Sequence, residues 1–129
     1  MDPVPIDLNR FSRLTDITID IACYVTSTLS LIPPAVILVT RMMKKISHRN
    51  VIQNLSFRLL IYWQIRVVDF ESAMKDVWQE LDTVCFIPQL ASSKSFRGIT
   101  FTIQSECNSF SDLVRSRLPE TQKANKLHI

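Results

Sequence analysis

The sequence contains a single glycine, Gly98, among its 129 residues. Phosphate-binding loops and dinucleotide-binding fingerprints need several glycines, because the backbone must turn tightly and approach the ligand closely. This chain therefore builds neither kind of site. Scarcity of glycine also favours helices over β architectures that depend on many tight turns.

Metal-ligating residues are equally sparse. The three cysteines, Cys23, Cys85 and Cys107, are odd in number and no two have the C-x-x-C spacing, and there are only two histidines. This pattern argues against a zinc site and favours a reducing compartment, in which the thiols are free. Because none of them has a recognisable catalytic context, we expect buried, unreactive thiols.

Catalytic patterns are also missing. No paired carboxylates and no Ser-His-Asp arrangement can be identified, although acid–base chemistry requires positioned titratable groups. A net charge of +3 is too small to indicate nucleic-acid binding by itself. We therefore predict a protein that is not an enzyme, with no catalytic residue, no cofactor and no metal, and for which nucleic acid is an unfavoured partner.

The longest uncharged run is Ile21–Thr40, which contains Pro33-Pro34 and is followed by basic residues. A run of this length would just cross a bilayer, and the basic residues after it would hold the C-terminal part in the cytosol. This gives one hypothesis, a small single-pass membrane protein acting as an accessory factor. The prolines favour the other, in which one helix ends near Leu31 and a new helix starts at Pro34.

Hydrophobic spacing predicts four helices in residues 12–88. The first helix starts at Ser12 as N-cap, and its apolar positions recur every three or four residues at Leu14, Ile17, Ile21, Val25, Leu29 and Ile32. The second follows Pro34 with an apolar face of Ala35, Leu38, Val39, Met42 and Ile46. The third covers Val51–Val67 and the fourth covers Asp69–Leu81.

The rest of the chain is less regular. Residues 1–11 are predicted as a loose arm and residues 119–129 as a disordered tail. Residues 89–118 are predicted as an irregular segment with an alternating strand at 98–104 and a short helix at 109–118. The predicted fold class is therefore all-α, built from antiparallel helical pairs, with a poorly ordered C-terminal part.

Residues 29–81 resemble HEAT or armadillo repeats, and most closely those of the focadhesin family. The resemblance rests on Ile32-Pro33-Pro34 opening a helix, on Phe57-Arg58-Leu59-Leu60 in the next, on Trp63 and on the Asp69–Leu81 helix. That family contains very long helical-repeat proteins linked to focal adhesions and to a cytoplasmic RNA-decay helicase complex. The resemblance implies a cytoplasmic, cell-junction-associated scaffold, but transfers no individual site residue.

The functional prediction is a non-catalytic interaction or scaffold module in the cytoplasm, with a membrane location as the alternative. Its partner would be a protein bound through apolar helix faces, and self-association is a further option. The candidate interaction face is a basic cluster that fits an acidic partner or anionic lipid: Arg41, Lys44, Lys45, His48 and Arg49. A solvated helix face explains the same residues. Tyr62, Trp63 and Trp78 are candidate binding hot spots, but the apolar stripe of the third helix favours core packing for Tyr62 and Trp63.

Overall fold

A computed structural model describes residues 8–11 and 13–129, without the side chain of Asn9. After a 3-10 turn at Leu8–Arg10 the elements are β1 (Asp16–Cys23), a 3-10 helix (Thr26–Leu31), α1 (Ile32–Lys45), β2 (Asn54–Ile61), α2 (Val67–Met74), α3 (Trp78–Thr83), a 3-10 turn (Val84–Phe86), α4 (Pro88–Ala91), β3 (Gly98–Gln104), α5 (Ser109–Arg117), α6 (Pro119–Lys123) and β4 (Leu127–His128). The fold is mixed α/β. The prediction of an all-α, HEAT-like fold is wrong.

The four strands form one parallel sheet in the order β1-β2-β3-β4. Asp16 pairs with Asn54, Asn54 with Gly98, and Ile99 with Leu127. Each strand is thus added beside its predecessor through a helical crossover, the connection that parallel neighbours require. The boundary expected at residue 88 falls inside the crossover from β2 to β3.

β1 occupies the segment that was predicted as the first helix. Its residues alternate strictly, with Ile17, Ile19 and Ile21 turned towards the core and Asp16 and Asp20 turned away. Isoleucine and threonine also have high strand propensity, since a branched Cβ packs well on a pleated surface. The apolar spacings of three and four residues that predicted a helix were coincidental, because the strand has a two-residue period. Ser12, the predicted N-cap, lies outside the described residues.

β2 occupies the middle of the segment that was predicted as the third helix. Leu55, Phe57, Leu59 and Ile61 are buried, and the residues between them are partly or fully exposed. Phe57 stacks on Phe101 of β3, with ring centroids 5.2 Å apart. The prediction of one helix over Asp69–Leu81 is also wrong in extent, because this segment is divided between α2 and α3.

α1 begins at Ile32, two residues before the start predicted at Pro34, and follows directly on the 3-10 helix. Pro33 and Pro34 occupy its first positions, where a missing backbone N–H costs no intrahelical hydrogen bond. Ile32, Val36, Val39 and Met43 are buried in the core. The apolar run therefore supplies the main helix packed on the sheet.

The helical segment Thr26–Lys45 is long and apolar enough to cross a membrane by length and composition, with a mean hydropathy of 1.3. About two fifths of it, 39%, is buried within the fold. The predicted span, Ile21–Thr40, begins inside β1 and ends inside α1. Helices that pack in the core of a soluble domain pass the same test, so the membrane hypothesis stays a prediction.

The C-terminal part, which was predicted to be a disordered tail, forms α6 and β4. The Asp82 carboxylate accepts hydrogen bonds from the Thr121 amide at 2.9 Å, the Thr121 hydroxyl at 2.8 Å and the Glu120 amide at 3.2 Å. These bonds fix the start of α6 to α3. The chain then passes Gly98 so closely that β4 can pair with β3.

Helices cover one face of the sheet, and in the described chain the other face is open. The covered side carries the core, while the open side carries polar residues at alternate positions of all three long strands. Parallel sheets are usually buried on both faces. The open face is therefore the unusual feature of this fold.

Candidate functional site: the open face of the sheet

Strand register arranges the open face in rows. Thr18, Ser56 and Thr100 form one row, Asp20, Arg58 and Thr102 the next, and Ala22, Leu60 and Gln104 the third. Beyond the strand ends, Tyr24 and Tyr62 continue the alternation. The face thus changes from hydroxyl-bearing at the amino end to apolar and aromatic at the carboxyl end.

The middle row carries the charges of this face. Arg58 Nε lies 3.4 Å from Asp20 Oδ1, and both side chains are more than half exposed. Such a pair contributes about 0–1 kcal/mol to stability, because water screens it. Its value for binding is that both groups remain available to a ligand.

A shallow depression of about 240 Å³ lies over the carboxyl half of the face. Asp20, Arg58, Leu60, Thr102 and Gln104 contribute to its lining. It combines one anion, one cation, a hydroxyl, an amide and an apolar surface. These groups can bind a polar or amphipathic segment by hydrogen bonds and apolar contact.

Aromatic side chains lie next to this depression, just past the carboxyl ends of β1 and β2. The rings of Tyr24 and Tyr62 are 4.7 Å apart between centroids and inclined by 35°. The Tyr62 amide donates to the Cys23 carbonyl at 3.1 Å, which extends the sheet by one residue and holds the two rings side by side. The chain then turns at Trp63.

We call this group the aromatic rim: Tyr24, Val25, Leu60, Tyr62 and Trp63. Trp63 is 78% exposed, Tyr24 50% and Tyr62 38%. The sequence-based prediction that Tyr62 and Trp63 pack in the core is therefore wrong. Tyr24 was not predicted at all. The signal that would have found it is the two-residue alternation of β1, continued one step past Ala22.

The second tryptophan, Trp78, has the opposite environment. It is 4% exposed and packs edge to face against Phe70, with centroids 6.1 Å apart. Among the described residues its Nε1 is the buried side-chain polar atom without a hydrogen-bond partner. Trp78 is a core residue, and Trp63 is the exposed one.

The predicted basic cluster lies at the other edge of the sheet. Arg41, Lys44 and Lys45 are exposed on the last turns of α1, and His48 and Arg49 are exposed in the turn before β2. The Lys44 carbonyl accepts a hydrogen bond from Gln89 Nε2 at 2.7 Å, which attaches α4 to this corner. Cations at a helix carboxyl end are stabilised by the helix dipole. That the cluster binds a partner stays a prediction.

The three cysteines are free and lie apart. Cys23 and Cys85 are buried, and burial raises the pKa of both thiols, that of Cys85 to about 11. Cys107 is exposed, and hydrogen bonding to the side chain and backbone of Ser109 lowers its pKa. The expectation of buried thiols thus fits two of the three.

Chemical groups for catalysis do not assemble on the open face. The pKa of Asp16 is lowered, first by a hydrogen bond from the Asn54 amide at 2.7 Å and then by the Thr15 hydroxyl. A carboxylate stabilised in this way is a weak base. Within residues 8–11 and 13–129, no group of three or more His, Cys, Asp or Glu side chains is arranged to hold a metal.

Comparison with protein-family models, with curated proteins and with solved structures finds no match. The predicted resemblance to focadhesin-type HEAT repeats is therefore wrong on two counts. No family model supports it, and Phe57-Arg58-Leu59-Leu60, which carried it, belongs to a β-strand.

Proposed function

We propose that the chain is a non-catalytic protein-interaction module that binds its partner at the aromatic rim. The observation that carries this proposal is the exposure of Trp63 beside the Tyr24–Tyr62 pair. The rim lies at the carboxyl ends of β1 and β2.

The residue types of the rim support the proposal. Hot spots of protein interfaces are enriched in tryptophan, tyrosine and arginine, and the two aromatic residues bury a large area at low cost in side-chain entropy. Arg58 adds the third of these types next to the rim, within the depression that also contains Thr102 and Gln104. We infer a partner segment with an apolar side chain for the rim and hydrogen-bonding groups for the depression.

The proposed surface differs from the apolar helix faces expected from the sequence. Val36, Val39 and Met43 of α1 are buried within this chain and are not available to a partner. A cytoplasmic location belongs to the same proposal, because the thiols are free. The junctional association depended on the focadhesin resemblance and is not part of it.

The membrane hypothesis has one supporting observation, the length and hydropathy of the Thr26–Lys45 helix. We prefer the interaction module because a spanning α1 would remove Ile32, Val39 and Met43 from the core they occupy here. Extraction with alkaline carbonate separates the two hypotheses. Full release from membranes is expected, and resistance to extraction would require a spanning segment.

A display experiment tests the proposed function. A peptide library is selected on the wild-type chain, with counter-selection on the Tyr62→Ala/Trp63→Ala double variant. Because a hot-spot residue contributes about 2 kcal/mol or more, enriched peptides should bind the double variant at least ~30-fold more weakly. Fluorescence of Trp63, measured in a Trp78→Phe background, reports binding directly, since burial of an exposed indole shifts its emission to the blue.

Phe86→Ala provides the matched control, because Phe86 is also an exposed aromatic residue but lies in the helical layer. Peptides should bind this variant as they bind the wild type. Equal loss in the control and the double variant, or no rim-dependent peptide after selection, would refute the proposal. A dimer by light scattering that the double variant lacks would identify the partner as a second copy of this chain.

A further inference from the structure

Positive charge is concentrated at the edge of the sheet where the strands begin. The segments that precede the four strands, residues 8–15, 46–53, 92–97 and 124–126, contain no aspartate or glutamate. They contain the following arginines and lysines: Arg10, Arg13, Arg49, Lys94, Arg97 and Lys126. We call this surface the basic edge. The sequence-based cluster included only Arg49 of these six, because the others are distant along the chain.

Hydrogen bonds join the four segments into one surface. The Gln53 amide donates to the Thr15 carbonyl at 2.6 Å, and the Arg97 amide donates to the Gln53 carbonyl at 2.7 Å. Lys126 Nζ donates to the Phe96 carbonyl at 2.7 Å. The cations therefore lie on one continuous edge of the fold, whose segments are joined by hydrogen bonds.

Several of these cations have no carboxylate partner among the residues that the structure describes. Within the described part of the chain, Arg10, Arg13, Arg49 and Lys94 are exposed and take part in none of the ion pairs. They also lie outside α1, so the dipole of its carboxyl end does not account for them as it accounts for Lys44 and Lys45. Their charge is available to an external anion.

An apolar patch lies within the basic edge. Phe11 is 54% exposed, and Val51 is also exposed. Between the segments that carry them is a shallow cavity of about 150 Å³, to which Leu8, Leu14 and Arg49 contribute. Exposed apolar side chains surrounded by cations fit the surface of a lipid bilayer, where anionic headgroups lie above the hydrocarbon.

We propose that the basic edge docks on an anionic phospholipid bilayer, with Phe11 and Val51 entering the headgroup region. Phe11 is the exposed aromatic side chain at this edge, so a row of stacking platforms for single-stranded nucleic acid is not present in the described segments. The surface is opposite the aromatic rim. The chain can therefore contact a membrane and its protein partner at the same time, and the two proposals stand or fall separately.

Vesicle sedimentation with the full chain tests the docking surface. Binding to phosphatidylcholine vesicles with phosphatidylserine is compared with binding to phosphatidylcholine alone. The Arg13→Gln/Arg49→Gln variant should bind the anionic vesicles roughly 30-fold more weakly, about fivefold for each cation removed. Phe11→Ser leaves the charge unchanged and should weaken binding about threefold or more through lost insertion.

Arg66→Gln/Lys75→Gln is the matched control, because it removes the same charge from exposed residues outside the basic edge. It should bind anionic vesicles within about twofold of the wild type, once the loss of affinity caused by the lower net charge alone is subtracted. An equal loss in the control, binding that ignores phosphatidylserine, or wild-type binding by Phe11→Ser would overturn the proposal. So would selective binding of a single-stranded RNA in place of vesicles.

Discussion

Gly98 is the position at which a single added methyl group should do the most damage. Its φ is +133°, a backbone conformation that residues with a Cβ rarely adopt. A Cβ at this position would clash with the Lys126 carbonyl oxygen and lie 2.7 Å from its carbonyl carbon. Both atoms belong to the backbone and cannot rotate away. Gly98→Ala therefore strains β3 and displaces the segment leading into β4.

The expected loss is the sum of two effects. Backbone strain at such a φ costs about 1–3 kcal/mol. Displacing Lys126 also breaks the hydrogen bond from the Ile99 amide to its carbonyl, 2.7 Å long, which is worth about 1 kcal/mol. We expect a loss of about 2–4 kcal/mol, a large fraction of the ~5–15 kcal/mol that stabilises an ordinary domain.

Urea unfolding followed by circular dichroism measures this loss. The midpoint should fall by roughly 1–2 M if the slope is near 2 kcal/mol per M. Ser95→Ala, at an exposed position just before β3, should stay within about 0.5 kcal/mol of the wild type. A loss below about 1 kcal/mol in Gly98→Ala would refute the geometry described for this strand.

A double-mutant cycle separates the two effects. In a chain lacking residues 126–129 the Lys126 backbone is absent, so Gly98→Ala should cost only its φ strain. The coupling between the substitution and the deletion should be about 1 kcal/mol. Additive effects would show that Lys126 does not contact this position.

Three other substitutions test the core and the thiols. Asp82→Ala should cost about 3 kcal/mol in urea unfolding, because it leaves the Thr121 amide and hydroxyl unpaired in the interior. A thiol reagent at pH 7.5 should label one cysteine rapidly, and Cys107→Ser should remove that phase. Since burial raises the pKa of Cys85 from 9.0 to about 11, unfolding free energy should fall by up to about 2 kcal/mol between these pH values, because only the unfolded thiol ionises there.

Each of these expectations has its own control. Asp112→Ala removes an exposed carboxylate paired only with Arg115 and should change stability by less than about 1 kcal/mol. Rapid labelling of more than one thiol would contradict the burial of Cys23 and Cys85. Cys85→Ala should show a shallower loss of stability above pH 9, and an unchanged slope would assign that loss to other groups.

The strand at 98–104, the short helix from Ser109 and, within two residues, the start of α1 could be predicted from the sequence, whereas the pairing of strands into a sheet could not. Pro33-Pro34 acts through local sterics, so its consequence for the helix start does not depend on the rest of the fold. The scarcity of glycine was taken to favour helices over β architectures with many tight turns. It does not exclude a parallel sheet, because parallel strands are joined by helices. The one glycine is used where two backbones meet.

The candidate surfaces depended on knowing the strands. With a helical period, Trp63 falls on the same stripe as Leu59 and is placed in the core. With the observed two-residue period, Leu59 is buried and Trp63 lies past the strand in a turn. The basic edge could not be predicted from the sequence for a related reason. Arg13, Arg49 and Lys94 come together only because parallel strands begin at the same side of the sheet.

The order β1-β2-β3-β4 also determines how this chain can fold. Asp16 must reach Asn54, and Asn54 must reach Gly98, before either pair of strands gains a hydrogen bond. No hairpin offers a fast local nucleus, so closure of a long loop precedes every pairing and slows folding relative to a helical bundle of similar size. During synthesis, β2 has an unpaired edge until β3 has left the ribosome, and this interval is when the nascent chain is most exposed to aggregation.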